Sequence, residues 1–188
     1  MNLYLIRHTS LEIAAGICYG QSDVDVSANF AAECSALRAK LDGIQFDAVY
    51  ASPLQRCTKL AQALNLGAVQ VDARLKELHF GDWEMQAWDS IPRELFDVWA
   101  HDYAHLSPPN GESFTQLYQR AKAFSEEVSG CLHGKNVAVV THGGVIRAML
   151  ADALNMPLKG LFRLVIDHAS VTQITLSDSV PKIQFVNR

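Results

Sequence analysis

The sequence is poor in cysteine, and its cysteines are not paired by spacing. The four residues, Cys18, Cys34, Cys57 and Cys131, are scattered along 188 positions without a Cys-x-x-Cys pair. This pattern supports neither a zinc site nor a redox motif, and it is typical of reduced thiols in a cytosolic protein. We therefore expect no metal and no other cofactor.

Long hydrophobic runs are also missing. No stretch approaches the roughly 18 consecutive apolar residues that a membrane-spanning helix needs. The apolar start of the chain ends at Arg7, which is too early for the hydrophobic region of a signal peptide. The sequence therefore predicts a cytoplasmic protein with no membrane partner.

There is no excess of positive charge. Lys and Arg together number 16 against 20 Asp and Glu, for a net charge of −4, and no long basic run occurs. Nucleic acid is therefore not an expected partner, and any anion must be attracted by a few local cations. With 49% apolar and 19% charged residues, the chain has the composition of one ordinary globular domain over residues 1–188.

What is present is an alternation of short apolar strands with amphipathic helices. Strands are predicted at 3–6, 46–51, 68–71 and 136–141, and in the tail at 162–166, 171–176 and 182–186. Helices are predicted between 27 and 43, after Ser52-Pro53, over 113–130 and over 143–154. This order predicts an α/β fold: a three-layer sandwich, with a mostly parallel sheet between helices on both faces.

Turn and cap residues set the expected helix limits. Ser27 is a candidate N-cap and Gly43 a candidate stop for the first helix. Ser52 is the predicted N-cap of the second helix, and Pro53 is its predicted first residue. Between residues 74 and 110 the periodicity weakens, and aromatic residues alternate with acidic ones. This pattern favours short helices and loops, which could form a lid.

Chemically active side chains follow several of the predicted strands. Arg7 and His8 end the first predicted strand. Arg56 lies in the first turn of the helix that follows the second predicted strand. His142 ends the predicted strand at 136–141 and is followed by Gly143. Because the carboxyl ends of parallel strands share one edge of a sheet, these groups should meet there. Helix N-termini at that edge add N–H donors and favour an anion.

Two arginines, two histidines and a carboxyl group suit phosphate chemistry. Guanidinium groups grip phosphoryl oxygens in a bidentate way, a neutral imidazole can attack phosphorus, and a protonated carboxyl group can supply the leaving oxygen with a proton. The residues alone leave the acid open among Glu77, Glu84, Asp82 and Glu12.

Four segments in the same order resemble the histidine phosphatase superfamily, which has the phosphoglycerate mutase-like fold. They are Leu-Ile-Arg-His-Thr at 5–9, Ser-Pro-Leu-Gln-Arg at 52–56, Leu-Lys-Glu-Leu-His-Phe-Gly-Asp-Trp-Glu at 75–84 and Val-Thr-His-Gly-Gly-Val-Ile-Arg at 140–147. The resemblance implies an enzyme that hydrolyses a small phosphomonoester through phosphohistidine without a metal.

The same resemblance implies roles for single residues. His8 would be the nucleophile, and Glu77 the general acid and then the base that activates water. Arg7, Arg56 and His142 would hold the phosphate, and the backbone around Gly143 could add donors.

Within the superfamily, residues 16–24 and 109–113 resemble the alpha-ribazole phosphatase subgroup, which acts in cobalamin assembly. Gly20 and Gln21 in the first of these segments could contact substrate or could shape the loop. Met85 stands where relatives usually have glycine. The alternatives to alpha-ribazole phosphate are a broad phosphatase or mutase for sugar and glycerate phosphates, and an inactive regulatory module.

Three further features receive structural interpretations. Arg147 is assigned to a structural ion pair rather than to substrate contact. His168 is assigned a structural role between two late strands, with approach to the site as the alternative. The three tryptophans, Trp83, Trp88 and Trp99, are expected in core or lid packing, although a benzimidazole-like leaving group could use one of them.

Overall fold

The structure, a computed structural model, describes residues 1–177 and 180–188. The strands are β1 (Asn2–Arg7), β2 (Ala48–Ala51), β3 (Val69–Val71), β4 (Asn136–Thr141), β5 (Val171–Thr175) and β6 (Lys182–Phe185). The α-helices are α1 (Phe30–Leu41), α2 (Gln55–Leu64), α3 (Arg93–His101), α4 (Phe114–Cys131) and α5 (Gly143–Leu154). Strands and helices alternate through most of the chain, as the periodicity predicts.

The six strands form one sheet in the order β3-β2-β4-β1-β5-β6. The strands β1 to β4 run parallel, with Leu5 of β1 opposite Val139 of β4. The strand β5 runs antiparallel to β1 and β6 antiparallel to β5. The expected mostly parallel α/β sheet is confirmed, and its antiparallel strand β5 has a consequence for the site described below.

Helices cover both faces of this sheet, which confirms the three-layer prediction. In β1 the side chains of Leu3 and Leu5 pack with α4 and α5, whereas Tyr4 and Ile6 pack with α1 and α2. The same alternation occurs in β4 between Val139 and its neighbours. Because successive side chains of a strand point to opposite faces, a strand buried on both sides needs an unbroken apolar run.

Two predicted helix starts and one predicted strand are wrong. The N-cap of α1 is Asn29, and the Ser27 hydroxyl lies 2.6 Å from the Ser10 hydroxyl. The helix α2 begins at Gln55 rather than at Pro53, and the Ser52 hydroxyl lies 2.8 Å from His142 Nε2. The predicted strand at 162–166 overlaps a 3-10 helix, Leu158–Arg163, followed by irregular chain.

The weakly periodic region after β3 is a chain of short turns around one α-helix. Three 3-10 turns, Ala73–Leu75, Gly81–Trp83 and Trp88–Ser90, precede α3. The next helix, α4, begins with the Ser113–Gln116 capping box, in which each side chain bonds the other residue's backbone. No helix among the described residues is both long and apolar enough to cross a bilayer.

Candidate active site

The carboxyl ends of β1, β2 and β4 bring the predicted residues to one edge of the sheet. The His8 amide donates to Thr141 O at 3.0 Å, and the Ser52 amide donates to Val140 O at 3.0 Å. These ladder bonds place the residues that follow each strand side by side. His8, Ser52 and His142 are consequently neighbours although they are far apart in sequence.

His8 lies at the centre of this edge and is almost completely buried, with 1% of its surface exposed. Its Nδ1 lies 2.8 Å from Thr9 O. Because a carbonyl can only accept, Nδ1 carries the proton and Nε2 keeps a free lone pair. Burial lowers the pKa of His8 well below its ordinary value, and the Arg56 and Arg7 charges lower it further. The ring is therefore a neutral nucleophile at physiological pH.

Arg56 is the largest side chain with no exposed surface. It lies in the first turn of α2, and its Nη1 and Nη2 donate to Ser22 O at 2.8 Å and Gly20 O at 2.6 Å. Its guanidinium also lies 5.4 Å from the centre of the Tyr19 ring. No carboxylate pairs with it among the described residues, so its buried charge is available to an anion.

His142 connects Arg56 to the edge of β2. Its Nδ1 accepts from Arg56 Nε at 3.3 Å, and its Nε2 lies 2.8 Å from the Ser52 hydroxyl. The ring centres of His142 and His8 are 5.1 Å apart. Burial, followed by the Arg56 charge, lowers the pKa of His142 well below its ordinary value. Ser52 is thus a site residue whose role the sequence analysis missed, because a serine before a proline has an ordinary explanation as a helix cap.

Arg7 approaches His8 from the next position along the edge. Its Nη1 donates to Ile166 O, its Nη2 lies 2.9 Å from His168 Nε2, and its buried Nε has no hydrogen-bond partner. The guanidinium is therefore held at two points, while its buried Nε–H has no partner. A buried N–H without a partner is costly and is suited to receive an oxygen of a bound anion.

His168 approaches the site, which is the alternative that the sequence left open beside a structural role. Its ring centre lies 5.2 Å from that of His8, although its outer edge faces solvent. His168 lies close to His8 because β5 runs antiparallel to β1, so the residues before β5 lie next to the residues after β1. The Ala169 amide accordingly donates to His8 O at 3.1 Å. Partial burial and the Arg7 charge lower the pKa of His168 to about 4.

Glu77 faces the start of α5. Its carboxylate accepts from the Leu78 amide at 2.8 Å and from the Gly144 amide at 3.2 Å. A Cβ on Gly144 would lie 2.2 Å from Glu77 Oε1, so only glycine permits this approach. Since α5 directly follows His142, the contact places the carboxylate next to the phosphate-binding edge.

The other acids considered from sequence have different contacts. The Glu84 carboxylate accepts from the backbone amides of Gln21, Ser22 and Phe80 and therefore fixes a loop. Asp82 accepts from the exposed Asn110 side chain, and Glu12 is exposed. Among the four, Glu77 is the acid that contacts the helix behind His142.

Gly20 and Gln21 shape the loop that holds Arg56. The φ of Gly20 is +40°, and a Cβ there would lie 2.3 Å from Glu84 Oε1. The Gln21 side-chain amide donates to Glu77 O at 3.0 Å. The Gly20 carbonyl and both amide groups of Gln21 thus have partners within the protein, which favours the loop-shaping alternative over direct substrate contact.

Arg147 makes no ion pair among the described residues, so the predicted structural ion pair is wrong. Its Nε donates to Leu164 O at 2.9 Å, and its guanidinium lies 5.7 Å from the centre of the Phe162 ring. A Cβ on Gly143 would lie 2.9 Å from Arg147 Nη1 and 3.5 Å from Arg7 Nε. Gly143 therefore lets two guanidinium groups converge at the start of α5.

The whole arrangement is suited to bind an anion, and it holds a neutral imidazole at its centre. Arg7, Arg56 and the first amides of α5 surround His8, and α5 adds the positive end of its dipole. Both imidazoles at the centre are neutral, so the net charge at the edge is positive. Such a site can hold a phosphoryl group and transfer it to a ring nitrogen.

Comparison with known proteins agrees with this chemistry. Several curated proteins match nearly the whole chain at 25–28% identity, and two of those at 28% match at least 99% of it. One is the adenosylcobalamin/alpha-ribazole phosphatase of Escherichia coli strain K12, with 100% of this chain and 96% of the relative covered. The other is the putative phosphoserine phosphatase 2 of Hydrogenobacter thermophilus, with 99% and 95% covered.

Solved structures give the same result for the fold. The alpha-ribazole phosphatase from Shigella flexneri superimposes with a TM-score of 0.91 at 27% identity, covering 100% of this chain and 96% of that one. The family model described as histidine phosphatase superfamily (branch 1) matches residues 3–188. With the fold, the site and the family model in agreement, this chain belongs to branch 1 of the histidine phosphatase superfamily.

Proposed function

We propose that the protein hydrolyses a small phosphomonoester in the cytoplasm through a phosphohistidine on His8, without a metal. The observation that carries this proposal is the buried, neutral His8 ring, whose Nδ1 faces Thr9 O at 2.8 Å and whose Nε2 is free beside the Arg7 and Arg56 charges. A free ring nitrogen of this kind has little use in packing, and it is what an attack on phosphorus requires.

In the first step, His8 Nε2 forms a bond to phosphorus while the bond from phosphorus to the leaving oxygen breaks. Glu77 gives its proton to that oxygen, so the product leaves as a neutral alcohol. In the second step the Glu77 carboxylate takes a proton from water, and the water oxygen displaces the histidine from phosphorus. Inorganic phosphate leaves, and His8 and Glu77 return to their starting states.

The phosphoryl oxygens would be held by Arg7, Arg56, His142 and the Gly143 amide. Arg7 Nε lacks a partner in the free protein, and the Gly143 amide opens α5. His142 is neutral before substrate binds. Its Nδ1 accepts from Arg56 Nε and its Nε2 contacts the Ser52 hydroxyl, so it would hold the phosphate through Arg56 rather than by a hydrogen bond of its own. The charge that develops on the transferring group is thus met by donors already in place.

For the substrate we propose alpha-ribazole 5′-phosphate, because full-length relatives from Escherichia coli and Shigella flexneri carry that activity in their names. Phosphoserine is the second candidate, since a full-length relative at the same identity is named a putative phosphoserine phosphatase. Steady-state kcat/KM for alpha-ribazole phosphate, phosphoserine and 3-phosphoglycerate decides between them. We expect alpha-ribazole phosphate to lead by tenfold or more, and a lead for phosphoserine or for 3-phosphoglycerate would overturn this choice.

The reaction type has separate tests. Rapid quenching with a labelled aryl phosphate should trap an acid-labile phosphoenzyme, and EDTA should leave turnover unchanged. Inhibition by EDTA that added metal reverses would point to metal-assisted hydrolysis instead. Purified protein that turns over no phosphomonoester would favour the alternative of a regulatory module.

A further inference from the structure

An aromatic pocket is formed by the segment that follows Glu77 and by Phe162. It has a volume of about 350 Å³ and is lined by Phe80, Trp88, Phe96, Trp99, Ala100, Tyr103 and Phe162. Six of these seven residues are aromatic and none carries a charge. The volume is within the range of about 300–1,000 Å³ that is typical of small-molecule sites.

Two of the lining residues, Phe80 and Phe162, connect the pocket to residues of the site. Phe80 follows Glu77 by three residues in the chain. On the opposite wall, the Phe162 ring lies under the Arg147 guanidinium at 5.7 Å, and Arg147 Nη1 reaches the position where a Cβ on Gly143 would be. Arg147 therefore links the phosphate-binding edge to the pocket.

The position of the acid decides which part of a substrate lies there. Glu77 gives its proton to the leaving oxygen in the mechanism above, so the leaving group extends on the Glu77 side. We propose that this pocket binds a flat aromatic ring of the leaving group, joined to the phosphorylated carbon through a short spacer. The proposal rests on the proposed function in requiring a phosphomonoester at His8 and a proton donor at Glu77.

The low polarity of the pocket lining favours an aromatic leaving group over serine or glycerate. The Tyr103 hydroxyl is already used, since it donates to Lys159 O at 2.6 Å. The ring centres of Tyr103 and Phe162 are 4.7 Å apart, and Trp88 and Trp99 are stacked at 6.4 Å. Further rings pack well against such edges and faces. The carboxylate of serine or glycerate would find no charged partner among these lining residues and would lose hydration.

The exposure of the lining argues against a purely structural cluster. Phe162 is 51% exposed and Ala100 is also exposed, whereas Trp99, at the base, is 7% exposed. Large rings left open at the mouth of a pocket are typical of a surface that covers a ligand rather than of a finished core.

The test uses matched substrates. Phenylalkyl phosphates with two to five methylene groups are compared with n-alkyl phosphates of the same length, so that the phosphate and the basicity of the leaving oxygen are kept. We expect kcat/KM to favour the phenyl member by about tenfold at the best spacer length, the size of effect that one additional aromatic contact gives. Equal kcat/KM within every pair would overturn the proposal.

Two variants locate the effect. Ala100→Leu fills the pocket from an exposed helical position, and Phe162→Ala removes its outer wall. Each should reduce the phenyl preference to about threefold or less, corresponding to partial loss of the ring contact. Val98→Ala is the control, because Val98 lies on the same helix, is 61% exposed and does not line the pocket. A phenyl preference that survives Ala100→Leu would contradict the assignment.

A binding measurement separates this proposal from the catalytic one. All three tryptophans lie in the aromatic cluster around the pocket, so a phenylalkyl phosphonate, which cannot be hydrolysed, should change the intrinsic fluorescence. The matching n-alkyl phosphonate should change it much less, and Ala100→Leu should abolish the difference. Preference for phenylalkyl ligands without alpha-ribazole phosphate turnover would refute the proposed substrate only, whereas turnover without ring preference would refute the pocket assignment only.

Discussion

The proposed phosphate side of the site and the proposed leaving-group side are built in opposite ways. On the phosphate side, His8, Arg56 and His142 have at most 1% of their surface exposed, and each has fixed polar partners. On the leaving-group side, rings from residues 80–103 and from Phe162 form a wall that is partly open to solvent. Buried polar groups need hydrogen-bond partners at defined positions. Contacts between rings can form in many relative orientations.

We therefore expect the phosphate side to determine the reaction and the leaving-group side to determine which substrate is preferred. The phosphate side combines three strand ends of the central sheet, where a shift of one side chain leaves a charge or a donor unpaired. The leaving-group side lies on short turns and α3, outside the sheet. Substitutions there can change which leaving group fits without disturbing the phosphoryl transfer site.

Removing the nucleophile should have the largest effect of any single change. His8→Ala should lower kcat by about 10⁴-fold or more, because no other ring nitrogen occupies the central position. Phosphoenzyme trapping checks the assignment, and His8→Gln serves as the companion variant of more similar size. An adduct that persists in either variant would mean that phosphate is carried by another residue.

Glu77 lies at the boundary between the two sides. Glu77→Gln should lower kcat/KM for alkyl phosphates by about 10²–10³-fold, because their leaving oxygens need a proton. Nitrophenyl phosphate, whose leaving oxygen needs none, should slow by less than about tenfold. The readout is the ratio of the two losses, and equal slowing of both substrates would contradict the acid role.

The loop that holds Arg56 should tolerate little change. Gly20→Ala adds a Cβ that would lie 2.3 Å from Glu84 Oε1 at a φ of +40°, and we expect a loss of about 2–4 kcal/mol in the free energy of unfolding. Gly16→Ala is the matched control, since its φ is +82° but nothing lies within 4 Å, so it should cost about 1 kcal/mol. Urea unfolding measures both, and equal costs would show that Glu84 does not constrain the loop.

His168 should make stability depend on pH. Its pKa is lowered from 6.5 to about 4 in the folded protein, so between these values the unfolded chain binds more protons. The folded state is therefore fully favoured above about pH 6.5 and loses stability as pH falls towards 4. Glu33 and Asp167 act in the opposite direction, but burial and Arg7 prevail.

The variant His168→Asn keeps an acceptor for Arg7 but cannot take up a proton. Its free energy of unfolding, measured in urea at several pH values from 7.5 to 4.5, should fall less steeply than that of the wild type. The exposed His101→Asn is the control and should keep the wild-type slope. An unchanged slope in His168→Asn would contradict the assigned pKa shift.

The smallest expected effect lies on the leaving-group side. Met85 has a φ of +64° and is 57% exposed, which strains a bulky side chain where glycine would not be strained. Met85→Gly should raise the free energy of unfolding by about 0.5–1 kcal/mol. Met85→Ala keeps the Cβ and should gain nothing, and a similar gain for both variants would mean that backbone strain is not the cause.

The sequence predicted the main elements of the fold because strand and helix periods are local signals. It placed Arg7, His8, Arg56 and His142 at one edge by the rule for parallel strands. It left open whether His168 approaches the site, because the direction of β5 depends on its pairing with β1, a contact between residues distant in the chain. A hairpin-like spacing of the last two strands was the one available signal for an antiparallel end to the sheet.

By itself, then, the sequence determined the layered α/β architecture, the family resemblance and the set of groups for phosphoryl transfer, since apolar period and motif order are properties of neighbouring residues. Only the tertiary structure decided which ring nitrogen of His8 is free, what fixes Arg7 and Arg56, and that Phe80 and Phe162 face one pocket. Those features depend on hydrogen bonds and ring contacts between residues distant in the chain, which no local pattern specifies.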